Sequence, residues 1–333
     1  MRLILAVVLA LWPAFAAAQT LDAVKTRGFL RCGATETLPG FSQVSPEGLW
    51  SGFDVDICRA VAAAIFGDPN RVEFVSLSGS SRFAPLQAGE IDMMARNATW
   101  TMRRDTDFNV RYVATSFLDG QAFMVRNNVG VVSALELHDV SVCVIDGSNH
   151  QDVMQRFFFA GQVAYAEVLY ETNEDLSSAY RTGLCDVVTA SATRLFAIRQ
   201  MLGDPAGNRI LPERLSKEPL GPVVRQGDDQ WRNIVAWTLN AMINAEELGV
   251  TSLNIDSMSE SRSPQIRRLI GLEGDFGTPL GLTSSWARNI IAGVGNYAEV
   301  FDRNLGMSSP IGMTRGLNAL WTKGGLLYAP PIR

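Results

Sequence analysis

The sequence predicts a two-lobed α/β protein, each lobe a mostly parallel sheet flanked by helices, with two crossing strands as a hinge. Three observations carry this expectation. From Thr20 onward, short apolar runs alternate with amphipathic helical runs, and glycines stand where the helices should stop. Two weakly periodic segments, 126–130 and 219–227, interrupt the alternation and offer two places for the chain to pass between lobes. The third observation is length: without its first 18 residues the chain has about 315 residues, which favours roughly two domains.

The elements follow in order. A capped helix over 21–27 ends at Gly28 and leads into a strand over 29–34. A Gly/Pro loop at 38–40 precedes a helix over 55–66, closed by Gly67. Further strands are predicted at 72–75, 91–95, 121–125, 140–145, 165–169 and 186–190, and helices at 82–88 and 175–182, each followed by a glycine. Beyond the second crossing, Asp228 and Asp229 cap a long helix over 231–248. Another helix is read over 286–304, where Trp286, Ile290, Ile291, Val294, Tyr297, Val300 and Phe301 share a face for packing. The expected organisation is 19–126 plus 225–333 as the first lobe with a C-terminal extension, and 127–224 as the second.

Residues 1–18 read as a cleaved secretory signal: Arg2, an apolar run over 3–11, and Ala16, Ala17 and Ala18 before Gln19. The run is too short to span a bilayer. Once Arg2 is removed, 28 basic residues stand against 34 acidic ones, a net charge of −6 that argues against a nucleic-acid partner. The four cysteines admit three disulfide pairings in an oxidising compartment. Cys32 with Cys58 and Cys143 with Cys185 are preferred, since each pair closes within one lobe; buried free thiols are the other reading. No CxxC spacing occurs, and only His138 and His150 could assist, so no metal or cofactor is expected.

The segments CGATETLPGFS (32–42), GLWSGFDVDICRAVAAAIFGDP (48–69), RFAPLQAGEIDMMARNATWTMRRD (82–105), KEPLGPVVRQGDDQW (217–231) and RGLNALWTKGGLLYAPPIR (315–333) resemble family 3 periplasmic solute-binding proteins. Within that family the chain looks like the general L-amino acid receptors of ABC importers. The resemblance covers nearly the whole mature chain. It implies the type II periplasmic binding fold, a ligand clamped between closing lobes, and membrane permease subunits that read the closed state. It also implies a periplasmic, non-catalytic receptor, expected to be monomeric.

The resemblance assigns the site residue by residue. Arg104, after the polar segment 96–103, falls where the family holds a ligand carboxylate, a task suited to a planar guanidinium fork. Thr99 falls on the family's hydroxyl and backbone contact, and Asn97 lies in the same segment. Thr35, Glu36 and Leu38 fall on the first ligand loop, and Ser80 and Arg82 on the second. In the second lobe, a Gly-Thr-Thr segment common among relatives is replaced by Gly147, Ser148, Asn149 and His150, which keep hydrogen-bonding capacity for an anion. Where many relatives carry an aspartate for the ligand ammonium, this chain has Ser191, with Arg194 three residues on. Losing that counter-charge costs roughly 3 to 5 kcal/mol.

Two ligand readings follow. Either Glu36 supplies the missing carboxylate and the ligand is an L-amino acid, or the ligand is a keto acid or dicarboxylate without an α-ammonium. A rival from another class is a dehydratase-like enzyme on the same scaffold, for which Glu36 is the one general-acid candidate.

Overall fold

Two five-stranded sheets form the two lobes, in a computed structural model that describes residues 20–77 and 82–333. The signal-peptide reading and Ser80 lie outside the described residues. In the first sheet the order is Val72–Ser76, Leu30–Ala34, Met93–Met94, Val223–Arg225, Val110–Tyr112. In the second it is Tyr165–Tyr170, Val140–Ile145, Val187–Ser191, Gln121–Arg126, Asn208–Ile210. Each sheet has a parallel half and an antiparallel half, because each accepts an antiparallel strand where the chain crosses over.

The crossings themselves are Phe117–Asp119 and Glu218–Leu220, which pair antiparallel, with Glu218 opposite Asp119. This corrects the hinge expected at 126–130. Gln121–Arg126 already belongs to the second sheet, where Val187 pairs with Val125 and Ser191 with Gln121, and residues 127–129 form a 3-10 turn at its end. Conversely, Val223–Arg225 lies in the first sheet, paired to Met93–Met94 and Val110–Tyr112. The sheet boundaries therefore fall near residues 120 and 221. Gly221 is required at the second of these, since a Cβ there would lie 2.0 Å from the Ala114 carbonyl oxygen.

Helices cover the sheets on the pattern expected, with local corrections. The helix after Gly52 begins at Phe53, and that glycine holds φ 132 with the Phe41 carbonyl oxygen 2.2 Å from where a Cβ would sit. The helix read over 286–304 is two, Trp286–Gly293 and Tyr297–Asn304. Gly295 takes φ 100 between them, and Asn296 with Glu299 makes a capping box that starts the second helix. Asn149–Gly161 and Ala192–Gln200 complete the second lobe.

The first lobe's core joins Phe53, Ile57, Trp231, Ile234, Ile290 and Phe301 to residues of the C-terminal extension, among them Ile311, Leu320 and Leu327. The extension also braces the hinge. The buried Asn318 side chain accepts from the Leu118 N–H at 2.7 Å and donates to its carbonyl at 3.0 Å, as a third strand would. Arg199 of the second lobe donates to the Ile311 carbonyl at 3.0 Å.

The disulfides are Cys32–Cys58 and Cys143–Cys185, one inside each lobe. On a chain-entropy basis, loops of 26 and 42 residues correspond to about 3.5 and 4 kcal/mol of stabilisation. No described helix is long and apolar enough to cross a membrane.

Candidate functional site

The candidate site is built around the segment that leaves the first sheet at Met94. Asn97 there adopts a left-handed conformation, φ 46, and its N–H donates to the Asp54 carboxylate at 2.6 Å. Asp54 is buried, and burial raises its pKa to about 7, against the opposing pull of the Asn97 N–H and Arg96. The segment is then laced to the hinge: the Trp100 N–H donates to the Pro219 carbonyl at 2.7 Å, and Thr99 forms a bridge with Leu220. Trp100 stacks on Tyr112 with centroids 5.5 Å apart. Thr101 caps the short helix Met102–Asp107 by accepting from the Arg104 N–H.

This frame places Arg104 half-buried beside Thr99, whose carbonyl accepts from Arg104 Nη1 at 2.8 Å and from the Tyr112 hydroxyl at 2.9 Å. One guanidinium edge is thus used for positioning. Three more arginines of the two lobes are half-buried, Arg82, Arg96 and Arg194. Arg96 donates to the Leu77 carbonyl at 3.0 Å. Burial, then the like charges of Arg82 and Arg194, bring its pKa down to about 10. Burial likewise lowers Arg82, assisted by Arg104, and Arg194.

The second lobe meets this segment directly. Asn97 Nδ2 reaches Thr193 Oγ1 at 3.5 Å, and Thr193 donates to the Asp119 carboxylate at 2.7 Å. Ser191 sits at the start of Ala192–Gln200 with its hydroxyl 3.2 Å from Thr193 Oγ1. Ser148 caps Asn149–Gly161, accepting from the Gln151 N–H at 3.2 Å while donating to the Ile145 carbonyl at 2.6 Å. Asn149 is exposed at that helix start. His150 Nε2 lies 3.3 Å from Glu218 Oε1, and its carbonyl accepts from Gln121 Nε2.

Glu218 and Asp119 are acids that the sequence reading left out of the site. Their position opposite each other on the crossing strands is a matter of register, which no local motif records. Burial pushes Asp119 up to about 6, with the Glu218 charge adding to the rise. Burial pushes Glu218 up too, but the hydrogen bond and charge of His150, Ser216 and the charge of Arg104 bring it below the usual carboxylate range.

Of the remaining predicted residues, Leu38 is the one whose side chain faces the core. It is 4% exposed and packs into the first lobe's core, because pairing with Ser42 in a small sheet turns its side chain inward. Thr35 is half-buried, its carbonyl accepting from Ser42 Oγ at 2.5 Å. Glu36 is exposed and makes no ion pair among the described residues. No group of three or more metal-binding side chains occurs among the described residues.

Residues 30–252 match the bacterial extracellular solute-binding proteins, family 3. The chain belongs to that family. It is 48% identical to the general L-amino acid-binding periplasmic protein of Rhizobium johnstonii, over 98% of this chain and 97% of that one. It is 46% identical to the glutamate/glutamine/aspartate/asparagine-binding protein of Rhodobacter capsulatus, over 96% and 94%. A solved periplasmic binding protein of an ABC transporter from Brucella ovis, with glutathione bound, superposes with a TM-score of 0.88 at 47% identity, covering 95% of this chain and all of that one. These near full-length relatives are named as binding proteins, which supports a binding role over the dehydratase reading.

Proposed function

We propose that this protein is the periplasmic receptor of an ABC importer and that it clamps an L-amino acid or closely related small carboxylate between its lobes. The carrying observation is the lacing of the Arg104 segment to a crossing strand through Trp100 with Pro219 and Thr99 with Leu220. A carboxylate held by the free edge of Arg104 is thereby coupled to the element that bends on closure. The ligand then favours the closed state, since only differential contact shifts such an equilibrium. The relatives named for amino acids support the same ligand class.

The ammonium falls to Glu218, on the crossing strand Glu218–Leu220 and close enough to Arg104 to feel its charge. Asp119, opposite Glu218 on the other crossing strand, adds negative charge beneath the Ser191 position through Thr193. This replaces Glu36, whose side chain is exposed, as the source of the missing charge. The mature chain, cleaved after Ala18, acts as a monomer that presents its closed lobes to the permease subunits.

Calorimetry on the mature protein with amino acids and their matched keto acids tests this reading. Arg104→Gln is expected to weaken every ligand by at least about a hundredfold, the loss of a desolvated charge partner. Glu218→Gln is expected to weaken amino acids by about tenfold or more and leave keto acids unchanged. Keto acids binding as tightly as amino acids to the unmodified protein would defeat the ammonium assignment. Unchanged binding in Arg104→Gln would defeat the carboxylate assignment.

A further inference from the structure

The family match ends at residue 252, and the chain beyond it does more than cover the first lobe. It takes hold of a crossing strand at two points. The hydroxyl of the buried Tyr297 donates to the Ser116 carbonyl at 2.8 Å, and Asn318 engages both the N–H and the carbonyl of Leu118. The loop that carries Asn318 is tied down to the first lobe, since Arg315 pairs with Glu246 at 2.9 Å and lies over the Tyr297 and Phe301 rings.

The same extension reaches across to the second lobe. Near the end of the helix Ala192–Gln200, Arg199 Nη2 donates to the Ile311 carbonyl at 3.0 Å, and its guanidinium lies 4.8 Å over the Phe196 ring. Ala197 is fully buried in the same apolar cluster as Ile311 and Met313. Ile311 is itself seated on the first lobe, so close to Gly40 that a Cβ there would lie 2.8 Å from its Cγ1.

A helix of nine residues thus meets the first lobe at both ends. At its start Thr193 Oγ1 lies 3.5 Å from Asn97 Nδ2, at the candidate site. About 9 Å further along the helix axis, Arg199 meets the extension. A helix pinned at two points cannot swing away with its lobe while the far pin holds. That pin is breakable: it rests on one hydrogen bond, Arg199 Nε is buried without a partner, and a cavity of about 490 Å³ lined in part by Phe196, Met313 and Leu317 leaves the junction beside it unpacked.

We propose that Arg199 is a positioning residue for ligand capture: through the Ile311 carbonyl, the C-terminal extension latches the second lobe in the disposition where Thr193 meets Asn97. The latch touches no ligand. It sets the fraction of ligand-free molecules already in that disposition, and apparent affinity scales with that fraction for every ligand alike. This rests on the receptor reading of the cleft but not on which ligand fills it.

The test pairs solution X-ray scattering with calorimetry on the mature protein, with L-glutamine and L-leucine as probes. Arg199→Met removes the donors and keeps the aliphatic bulk. The ligand-free variant is expected to have a larger radius of gyration than the unmodified protein, and its affinity for both amino acids should fall about three- to tenfold in parallel, the loss of one charge-assisted hydrogen bond. At saturating ligand the two radii should coincide, which a merely damaged lobe would not give. Arg199→Lys keeps a charged donor for the carbonyl and should recover most of both readings. Arg199→Gln serves as an independent second break, and circular dichroism confirms the fold of each variant. An unchanged ligand-free radius in both Arg199→Met and Arg199→Gln would overturn the latch whatever the ligand. An affinity loss confined to one amino acid would overturn it too, since Arg199 would then be a ligand contact. Failure of both amino acids to bind the unmodified protein would overturn the amino-acid reading, with the scattering still deciding the latch.

Discussion

Asp54 couples pH to the stability of the fold. Its carboxyl is 4% exposed at the start of the helix Phe53–Phe66 and accepts the Asn97 N–H at 2.6 Å, and burial holds its pKa near 7 against an ordinary 3.8. The folded state therefore keeps a proton that the unfolded chain releases at lower pH. Stability from this group is present below the unfolded pKa and is lost as pH rises through the folded one. Between pH 8 and pH 5 the native form takes up that proton over about two pH units, each worth about 1.4 kcal/mol, so the gain on acidification is about 2.7 kcal/mol. Asp119, raised to about 6, acts in the same direction over a further unit, adding about 1.4 kcal/mol. Urea unfolding followed by tryptophan fluorescence at pH 5, 6, 7 and 8 measures the total. Asp54→Asn keeps an oxygen to accept the Asn97 N–H and removes the titration, so its pH dependence should be shallower by about 2 to 3 kcal/mol over this range. Parallel pH profiles for the two proteins would refute the assignment of the proton to Asp54.

Three further outcomes are expected. Asn318→Ala strips both hydrogen bonds from Leu118 at the hinge and leaves a half-buried N–H and carbonyl unmatched; it should lower unfolding free energy by about 1 to 3 kcal/mol, read as a shifted urea midpoint at constant slope. Replacing Cys143 and Cys185 together by alanine should cost about 3 to 4 kcal/mol in the same measurement, with far-ultraviolet circular dichroism showing the lobe still folded. Glu36→Gln should leave calorimetric affinity for amino acids within about twofold, since the side chain is exposed, and a loss of about tenfold would restore Glu36 as the ammonium partner.

Much of the scaffold was legible because it is written locally. The strand–helix alternation, the stop at Gly67 and the cap at Asp228 are short-range signals, and the structure carries all three. The disulfide pairing followed from closing each loop within one lobe. The hinge was misplaced for the opposite reason. Gln121–Arg126 is apolar like its neighbours, and only its pairing with Val187–Ser191, more than sixty residues away, decides which sheet it joins. The inward direction of Leu38 was not legible, because a loop position says nothing of side-chain direction until the pairing with Ser42 fixes it. Arg96 read as part of a polar segment, since no linear pattern tells whether an arginine will find a carboxylate.

The acids on the crossing strands show how such non-local features combine. Residues directly opposite in an antiparallel ladder lie about 5 Å apart, and like charges there destabilise the pairing. Glu218 and Asp119 occupy such positions, yet they sit on the two strands that must bend together. The free protein relieves part of the repulsion with His150 and Ser216 on one carboxylate and Thr193 and Gly120 on the other, and by raising Asp119 toward protonation. Each relieving group except Ser216 and Gly120 comes from the second lobe at a helix start, so relief depends on how the lobes stand. A ligand ammonium seated above the pair would complete the compensation while its carboxylate engages Arg104, which is fastened to the same ladder through Thr99 and Leu220. Both ends of a zwitterion then act on the hinge itself, and a molecule offering only one of the two charges would close the lobes less completely.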